Sequence, residues 1–158
     1  METLTRRKVE LCCLQETRSQ GQGSQIVVGK NSCCKYIWCG KEAGGGDSCG
    51  GVAIMLAEKW WDKIFEIQYV SDRILRIRMV IGKLVSSFIC VYAPQVGLSN
   101  QVKDHFYEKL IAVVADVPAS EQLFVCGGMV ILAQKELDMR TYMVDMQLAG
   151  VMMRWRDF

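Results

Sequence analysis

The sequence predicts an α/β domain of the α+β type, with mixed and largely antiparallel sheets. Its 158 residues and 51% apolar content are enough for one domain with a substantial core. Short apolar or alternating runs, separated by turn residues, dominate the chain as far as Gly128. One amphipathic helical pattern interrupts them, so strands outnumber helices in the predicted fold.

The first part of the chain predicts a buried strand followed by a hairpin. The run from Val9 to Gln15 is short and apolar, whereas the following stretch through Gln25 is rich in Gly, Ser and Gln. These compositions predict a strand that ends in a loop. Tyr36 to Cys39 and Val52 to Leu56 predict two further strands, paired as a hairpin with a flexible glycine-rich tip.

The segment from Lys63 to Val91 predicts an antiparallel meander. Its central part alternates apolar residues with arginines, so that Leu75, Ile77 and Met79 fall on one face and Arg76 and Arg78 on the other. This alternation indicates one buried face and one face that is at least partly wet. Gly82-Lys83 has the composition of a two-residue turn that returns the chain into the last strand.

One amphipathic helix and one more buried strand follow. Ser99 is a candidate N-cap, and a helical face formed by Val102, Phe106, Leu110 and Val113/Val114 ends before Pro118. The run from Gln122 to Cys126 predicts a buried strand that continues into Gly127-Gly128. A strand that ends in glycines is a common place for chemistry in α/β proteins.

The tail from Met129 to Phe158 has a different composition from the rest of the chain. Six of the nine methionines lie between Met129 and Met153, and several of them follow helical spacing. We therefore expect a domain over residues 8–128 and a divergent methionine-rich tail over 129–158. The spacing predicts a helix from about Lys135 to Ala149 in that tail.

Composition favours some function classes over others. The net charge of +2 and the pI near 8.1 describe a nearly balanced surface, so charge alone does not indicate nucleic-acid binding. Eight cysteines accompany a charged N-terminus without a signal-peptide core, which predicts reduced thiols and an intracellular protein, nuclear or cytoplasmic and not secreted. No apolar run is long enough to predict a membrane span.

Four segments in order resemble one protein family: VELCCLQETR (Val9–Arg18), VSDRILRIRMVIGK (Val70–Lys83), VYAPQVGLS (Val91–Ser99) and LFVCGG (Leu123–Gly128). They are similar to the endonuclease domain of RTE-type non-long-terminal-repeat retrotransposons and of the craniofacial-development-protein-2-like proteins. These belong to the endonuclease/exonuclease/phosphatase family. The resemblance covers about three quarters of the chain.

The resemblance implies a four-layered α/β sandwich that hydrolyses phosphodiester bonds of DNA with a divalent metal, usually Mg²⁺. Glu16, within QET, matches the metal-binding glutamate of the family, and Tyr92, within YAPQ, matches the tyrosine that supports the phosphate. Gln95 corresponds to a position near the substrate. Without the resemblance, Glu16 is an ordinary charge at a strand end and Tyr92 a half-buried strand aromatic.

Several parts of the family pattern are not matched. After Cys126-Gly127-Gly128 the family has Gly-Asp-x-Asn, but Met129 and Ile131 stand at the two functional positions. Neither side chain can accept a proton or bind a metal. The chain also begins too late for the family's first strand and its metal-side asparagine, and it ends before the terminal Ser-Asp-His. His105, the one histidine, lies in the predicted helix, so we reject it as the catalytic histidine.

The expected function is therefore a degenerate, inactive, retrotransposon-derived nuclease-like domain with a partial sandwich fold, in which Mg²⁺ binding is doubtful. The alternative is a non-enzymatic module that interacts with protein or nucleic acid. A partial sandwich leaves sheet edges and an apolar sheet face uncovered, which predicts a protein partner or self-association. No membrane partner is expected.

Overall fold

The computed structural model describes residues 6–29, 32–42 and 50–127, and the backbone of two further strands at 141–145 and 151–153. The strands are β1 (Leu11–Gln15), β2 (Gln22–Val28), β3 (Cys33–Cys39), β4 (Val52–Ala57), β5 (Ile64–Ser71), β6 (Ile74–Ile81), β7 (Leu84–Val91), β8 (Gln122–Gly127), β9 (Thr141–Asp145) and β10 (Val151–Met153). A 3₁₀ helix spans Glu58–Lys63, and an α-helix, α1, spans Asn100–Ala115.

The strands form two five-stranded sheets. The first has the order β10-β1-β4-β3-β2 and is antiparallel throughout, whereas the second has the order β5-β6-β7-β8-β9. In the second sheet β5, β6 and β7 are antiparallel neighbours, while β8 is parallel to β7 and β9 is parallel to β8. The predicted α+β class with mixed, largely antiparallel sheets is confirmed.

The main core lies between the two sheets. Every second residue of the central strands points inward, including Leu11, Ile54, Ile77 and Phe88, each of which is fully buried. Phe88 stacks on Phe124 of the neighbouring strand with ring centroids 4.7 Å apart. The period-two pattern of the sequence therefore marks the faces that join the sheets.

Helix α1 covers part of the outer face of the second sheet. Ser99 is its N-cap, as the sequence predicts, and its buried residues Phe106, Leu110 and Val113 pack on a second apolar cluster. Ile89 and Val125 belong to that cluster. The described residues thus form three layers in which two sheets are followed by one helix.

The rest of this outer face is polar and is held by ion pairs. Arg78 donates to both Glu66 and Glu121, and Ser87 donates a 2.9 Å hydrogen bond to Glu121. Arg76, predicted on a partly wet face, is only 1% exposed, and its Nη1 lies 2.8 Å from Asp116 at the end of α1. The helix therefore removes from water a side chain that the strand pattern alone assigns to solvent.

The predicted hairpin and meander are confirmed. β3 pairs antiparallel with β4, and the turn between β6 and β7 has Gly82 at φ +59°, as a two-residue turn with glycine first requires. The sequence prediction is wrong from Gln22 to Gln25. A loop was predicted through Gln25, but β2 begins at Gln22 and pairs with β3 over seven residues. An edge strand of this kind has no buried face to impose an alternating pattern.

The tail prediction also needs correction. Thr141–Asp145, within the predicted helix from Lys135 to Ala149, is strand β9, which lies parallel to β8. Thr141, Tyr142 and Val144 are residue types that favour strands, and pairing with a buried strand outweighs the methionine spacing. The remainder of that segment, the glycine-rich tip at 43–49, and positions 129 and 131 lie outside the described residues.

Candidate functional site

Glu16 lies immediately after β1, where the chain leaves the first sheet. Its φ of 52° and the φ of 53° at Arg18 are unusual for residues with a side chain. The segment is held in this conformation by two backbone hydrogen bonds, from Thr17 N to Gly51 O (3.2 Å) and from Arg18 N to Gly50 O (3.0 Å). The Glu16 side chain is exposed. The first sheet therefore presents a carboxylate at its end on a strained, well-anchored backbone.

Glycine is required at position 51, because its backbone has a positive φ and the neighbouring chain lies too close for a side chain. Gly51 has φ +91°, and a Cβ there would lie 2.5 Å from Oγ1 of Thr17 and 3.2 Å from the nitrogen of Arg18. Its own nitrogen donates a 3.0 Å hydrogen bond to the carbonyl of Asp72, in the turn between β5 and β6. Gly51 therefore connects the end of the first sheet to a turn of the second.

Tyr92 follows β7 at the same end of the sandwich. Its hydroxyl donates a 2.5 Å hydrogen bond to Oε1 of Glu16, and its backbone nitrogen donates to the carbonyl of Arg73 (2.9 Å). Glu16 and Tyr92 are 76 residues apart in the chain. Two of the three residues predicted from the sequence are thus in direct contact across the two sheets.

Gln95, the third predicted residue, lies in the exposed loop before α1, close enough to the Tyr92 hydroxyl to influence its pKa. Burial raises the pKa of the Tyr92 phenol above its usual value, and the hydrogen bond and negative charge of Glu16 raise it further. Gln95 and the positive charge of Arg73 act on this pKa in the opposite direction. The phenol therefore remains protonated and acts as a donor at neutral pH.

Arg73 belongs to the site although the sequence did not indicate it. Its guanidinium carbon lies 5.0 Å from the centroid of the Tyr92 ring, and Nη1 donates to the carbonyls of Tyr92 (3.2 Å) and Ala93 (3.4 Å). The same residue supplies the carbonyl that accepts from the Tyr92 nitrogen. Arg73 thereby fixes both the backbone and the ring of Tyr92. In the sequence, Arg73 is a charge in the turn before β6, within the matching segment Val70–Lys83.

The end of β8 lies at the same end of the sandwich, next to Val91. A Cβ on Gly127 would lie 2.1 Å from the carbonyl oxygen of Val91, the residue before Tyr92. This contact explains why glycine is required where β8 leaves the sheet. Met129 and Ile131, which follow in sequence, are outside the described residues. His105 lies on the exposed side of α1.

The described residues fit a resident divalent metal poorly. Among residues 6–29, 32–42 and 50–127, no group of three or more His, Cys, Asp or Glu side chains could hold a metal ion. Glu16 supplies one carboxylate, and one of its oxygens already accepts from Tyr92. Mg²⁺ requires octahedral coordination by oxygen and releases water reluctantly, so one exposed carboxylate holds it weakly.

No protein-family model matches the chain, and no curated protein matches it in sequence. In the part of the chain that the structure describes, no helix is long and apolar enough to cross a membrane.

Proposed function

We propose that this chain is a degenerate endonuclease/exonuclease/phosphatase-like domain, derived from a retrotransposon and unable to hydrolyse phosphodiester bonds. One observation carries the proposal: Glu16 and Tyr92, taken from two separate sequence motifs, meet through a 2.5 Å hydrogen bond. Gln95 joins them at the same end of the sandwich. A carboxylate, a phenol and an amide at one end of the sandwich are suitable for contacting a phosphate and its counterion.

Inactivity follows from the chemistry of the remaining side chains. Hydrolysis of a phosphodiester needs a group that orients or deprotonates the attacking water and a cation that offsets the developing charge. The position that would supply the first group carries Met129, and the position of the family's phosphate-binding asparagine carries Ile131. Neither side chain can take over the role expected at its position. Loss of a positioned general base slows a reaction by a factor of about 10² to 10⁴. Glu16 supplies one carboxylate, so it holds a divalent cation only weakly, and most of the stabilisation that the cation would give to the developing charge is lost.

A nicking assay tests this proposal. Supercoiled plasmid is incubated with the wild-type protein, Glu16→Ala and Glu108→Ala in the presence of Mg²⁺ or Mn²⁺. Glu108 is an exposed carboxylate of α1 and serves as the matched control. All three proteins should leave the plasmid supercoiled. Metal-dependent nicking by the wild type and by Glu108→Ala, but not by Glu16→Ala, would show that the domain is active and the proposal wrong.

A second candidate function is a non-enzymatic interaction module. The loop beside Gln95 exposes Val96 (76%) and Leu98 (38%), and Val102 at the start of α1 is 43% exposed. Apolar side chains next to a polar site are suitable for a protein or nucleic-acid contact. Fluorescence anisotropy with labelled DNA at low and high salt shows whether the module binds nucleic acid. Saturable binding that weakens with salt, without cleavage, supports a nucleic-acid module, whereas absence of binding excludes it.

A further inference from the structure

We propose that the edge strand β2 is a self-association surface, where β2 of a second copy of this chain pairs antiparallel to extend the first sheet. This inference is independent of the proposed function. β2 is the last strand of the order β10-β1-β4-β3-β2, so only one of its edges is paired within the described residues. The backbone groups along its other edge are therefore available for another strand.

The composition of β2 favours pairing. Its seven residues, QGSQIVV, contain no charge and no proline, which are the devices that usually protect an edge strand. Ile26 is 58% exposed and Val28 is 78% exposed. A neutral strand with exposed β-branched residues gains by burying them and incurs no charge repulsion when it pairs with itself.

The geometry of β2 favours pairing as well. Its register with β3 runs from Gln22 opposite Cys39 to Val28 opposite Cys33 without a shift. Edge strand β5 of the second sheet differs, because it has two register shifts and carries Glu66 in an ion pair with Arg78. Bulges and charges of this kind block edge-to-edge association. β2 has neither.

The partner that fits is a second copy, because the strand is self-complementary. Ile26 and Val28 lie on one face of the strand, since side chains two residues apart point the same way. An antiparallel pair centred on Gln25 overlaps all seven residues of β2. Ile26 of each copy then lies opposite Ser24 of the other copy, and the two Ile26 side chains are diagonal neighbours on one face. A two-fold axis through this centre makes each copy present the same surface, and this closes the assembly as a dimer.

Sedimentation velocity over a range from low to high micromolar concentration tests the proposal. The wild type should shift from monomer to dimer, and Ile26→Lys should raise the dimer dissociation constant by about tenfold or more, because two added like charges then lie on neighbouring strands of the dimer. Leu84→Lys is the matched control. Leu84 is 49% exposed but lies in β7, which is paired on both sides, so this variant should dimerise like the wild type.

A second variant and a second measurement keep the test independent of folding. Val28→Lys should weaken the dimer like Ile26→Lys, and circular dichroism establishes that each variant is folded. Hydrogen exchange should show that the β2 amides become protected as concentration rises, while those of β5 do not change. A monomer at all concentrations, fibrils in place of a closed dimer, or a dimer insensitive to both lysine variants would overturn the proposal.

Discussion

The hydroxyl of Tyr92 donates a 2.5 Å hydrogen bond to Oε1 of Glu16, and this contact joins the end of β7 in the second sheet to the end of β1 in the first. The two residues are 76 positions apart in the chain, so the position of each is set by its own neighbouring contacts. Gly51 anchors the segment that follows Glu16, and Arg73 anchors Tyr92. The contact therefore forms only when both sheets have their native arrangement. A change in the pKa of Tyr92 consequently indicates a change in the site.

Glu16→Gln should lower the pKa of the Tyr92 phenol. Burial raises this pKa first, and the hydrogen bond and charge of Glu16 add to it. The amide keeps the shape of the side chain but removes its negative charge, so the phenolate becomes less unfavourable. An ultraviolet titration from neutral to alkaline pH measures the change. The titration difference between wild type and Tyr92→Phe identifies the Tyr92 signal, and an unchanged midpoint in Glu16→Gln would contradict the prediction.

The sequence predicted strands well where one of their faces is buried. In β6, Ile77 and Met79 are fully buried between the sheets, and this burial produces the period of two that the sequence shows. β2 lacks this constraint, because it is an edge strand with no fully buried residue and pairs within the described residues only with β3. Arg76 was assigned to a partly wet face because strand alternation does not reveal that α1 will cover that face.

The candidate site was only partly predictable. Glu16, Tyr92 and Gln95 came from motifs, and these motifs contained the residues that meet in the structure. Arg73 lies in another matching segment, Val70–Lys83, but was not singled out, because its role depends on contacts with Tyr92, which lies 19 residues further along the chain. A side chain that positions another residue through tertiary contact leaves no periodic trace in a single sequence.

Glu121→Gln should destabilise the protein at neutral pH by about 1–3 kcal/mol, because Glu121 accepts charge-assisted hydrogen bonds from Arg78 and another from Ser87. Burial alone would raise the pKa of the Glu121 carboxyl, but these hydrogen bonds hold it below its usual value of 4.5. The carboxylate therefore stabilises the fold above that pH, and this contribution is lost as the pH falls through the lower folded value.

Urea denaturation between neutral pH and pH 3 measures both effects of Glu121→Gln. The free energy of unfolding of the wild type should fall more steeply below pH 4.5 than that of the variant. Glu108→Gln, at an exposed position of α1, should follow the wild type. Parallel curves for the wild type and Glu121→Gln would show that the ion pair contributes nothing to acid sensitivity.

Arg76 and Asp116 should respond very differently to substitution, although they form one ion pair. Asp116 is 71% exposed, whereas the Arg76 side chain is 1% exposed and its Nε and Nη2 have no hydrogen-bond partner in the described residues. Asp116→Ala leaves the buried guanidinium with only a 3.4 Å bond to Gln68 and should cost about 1–3 kcal/mol. Arg76→Met removes the buried charge and should change stability by about 1 kcal/mol or less.

Thermal and urea unfolding of both variants and of the double variant measure this asymmetry. The double variant should resemble Arg76→Met, because the carboxylate has no buried charge to compensate once the arginine is absent. A larger loss of stability in Arg76→Met than in Asp116→Ala would contradict the prediction. Such a result would mean that the aliphatic part of the arginine contributes more by packing than its charge costs.

Cys33 should be the most reactive of the seven described thiols. The other six, Cys12, Cys13, Cys34, Cys39, Cys90 and Cys126, are buried, and burial raises the pKa of Cys12 and of Cys39 to about 11. Cys33 is partly accessible, and its thiol donates a 3.1 Å hydrogen bond to Glu58. This hydrogen bond raises the pKa of the Cys33 thiol. Glu58→Gln removes this negative charge and should speed alkylation of Cys33, because the reactive species is the thiolate.

Brief treatment with iodoacetamide at mildly alkaline pH, followed by peptide mass spectrometry, tests the order of reaction among these thiols. Modification of Cys33 should precede that of the six buried cysteines, which should react only when denaturant opens the sandwich. Glu42→Gln, at an exposed position outside the contact, is the control and should leave the rate at Cys33 unchanged. Equal rates at Cys33 and Cys90 in the native protein would mean that the two sheets separate readily, since Cys90 lies between them and its thiol donates to the carbonyls of Leu14 and Ala53.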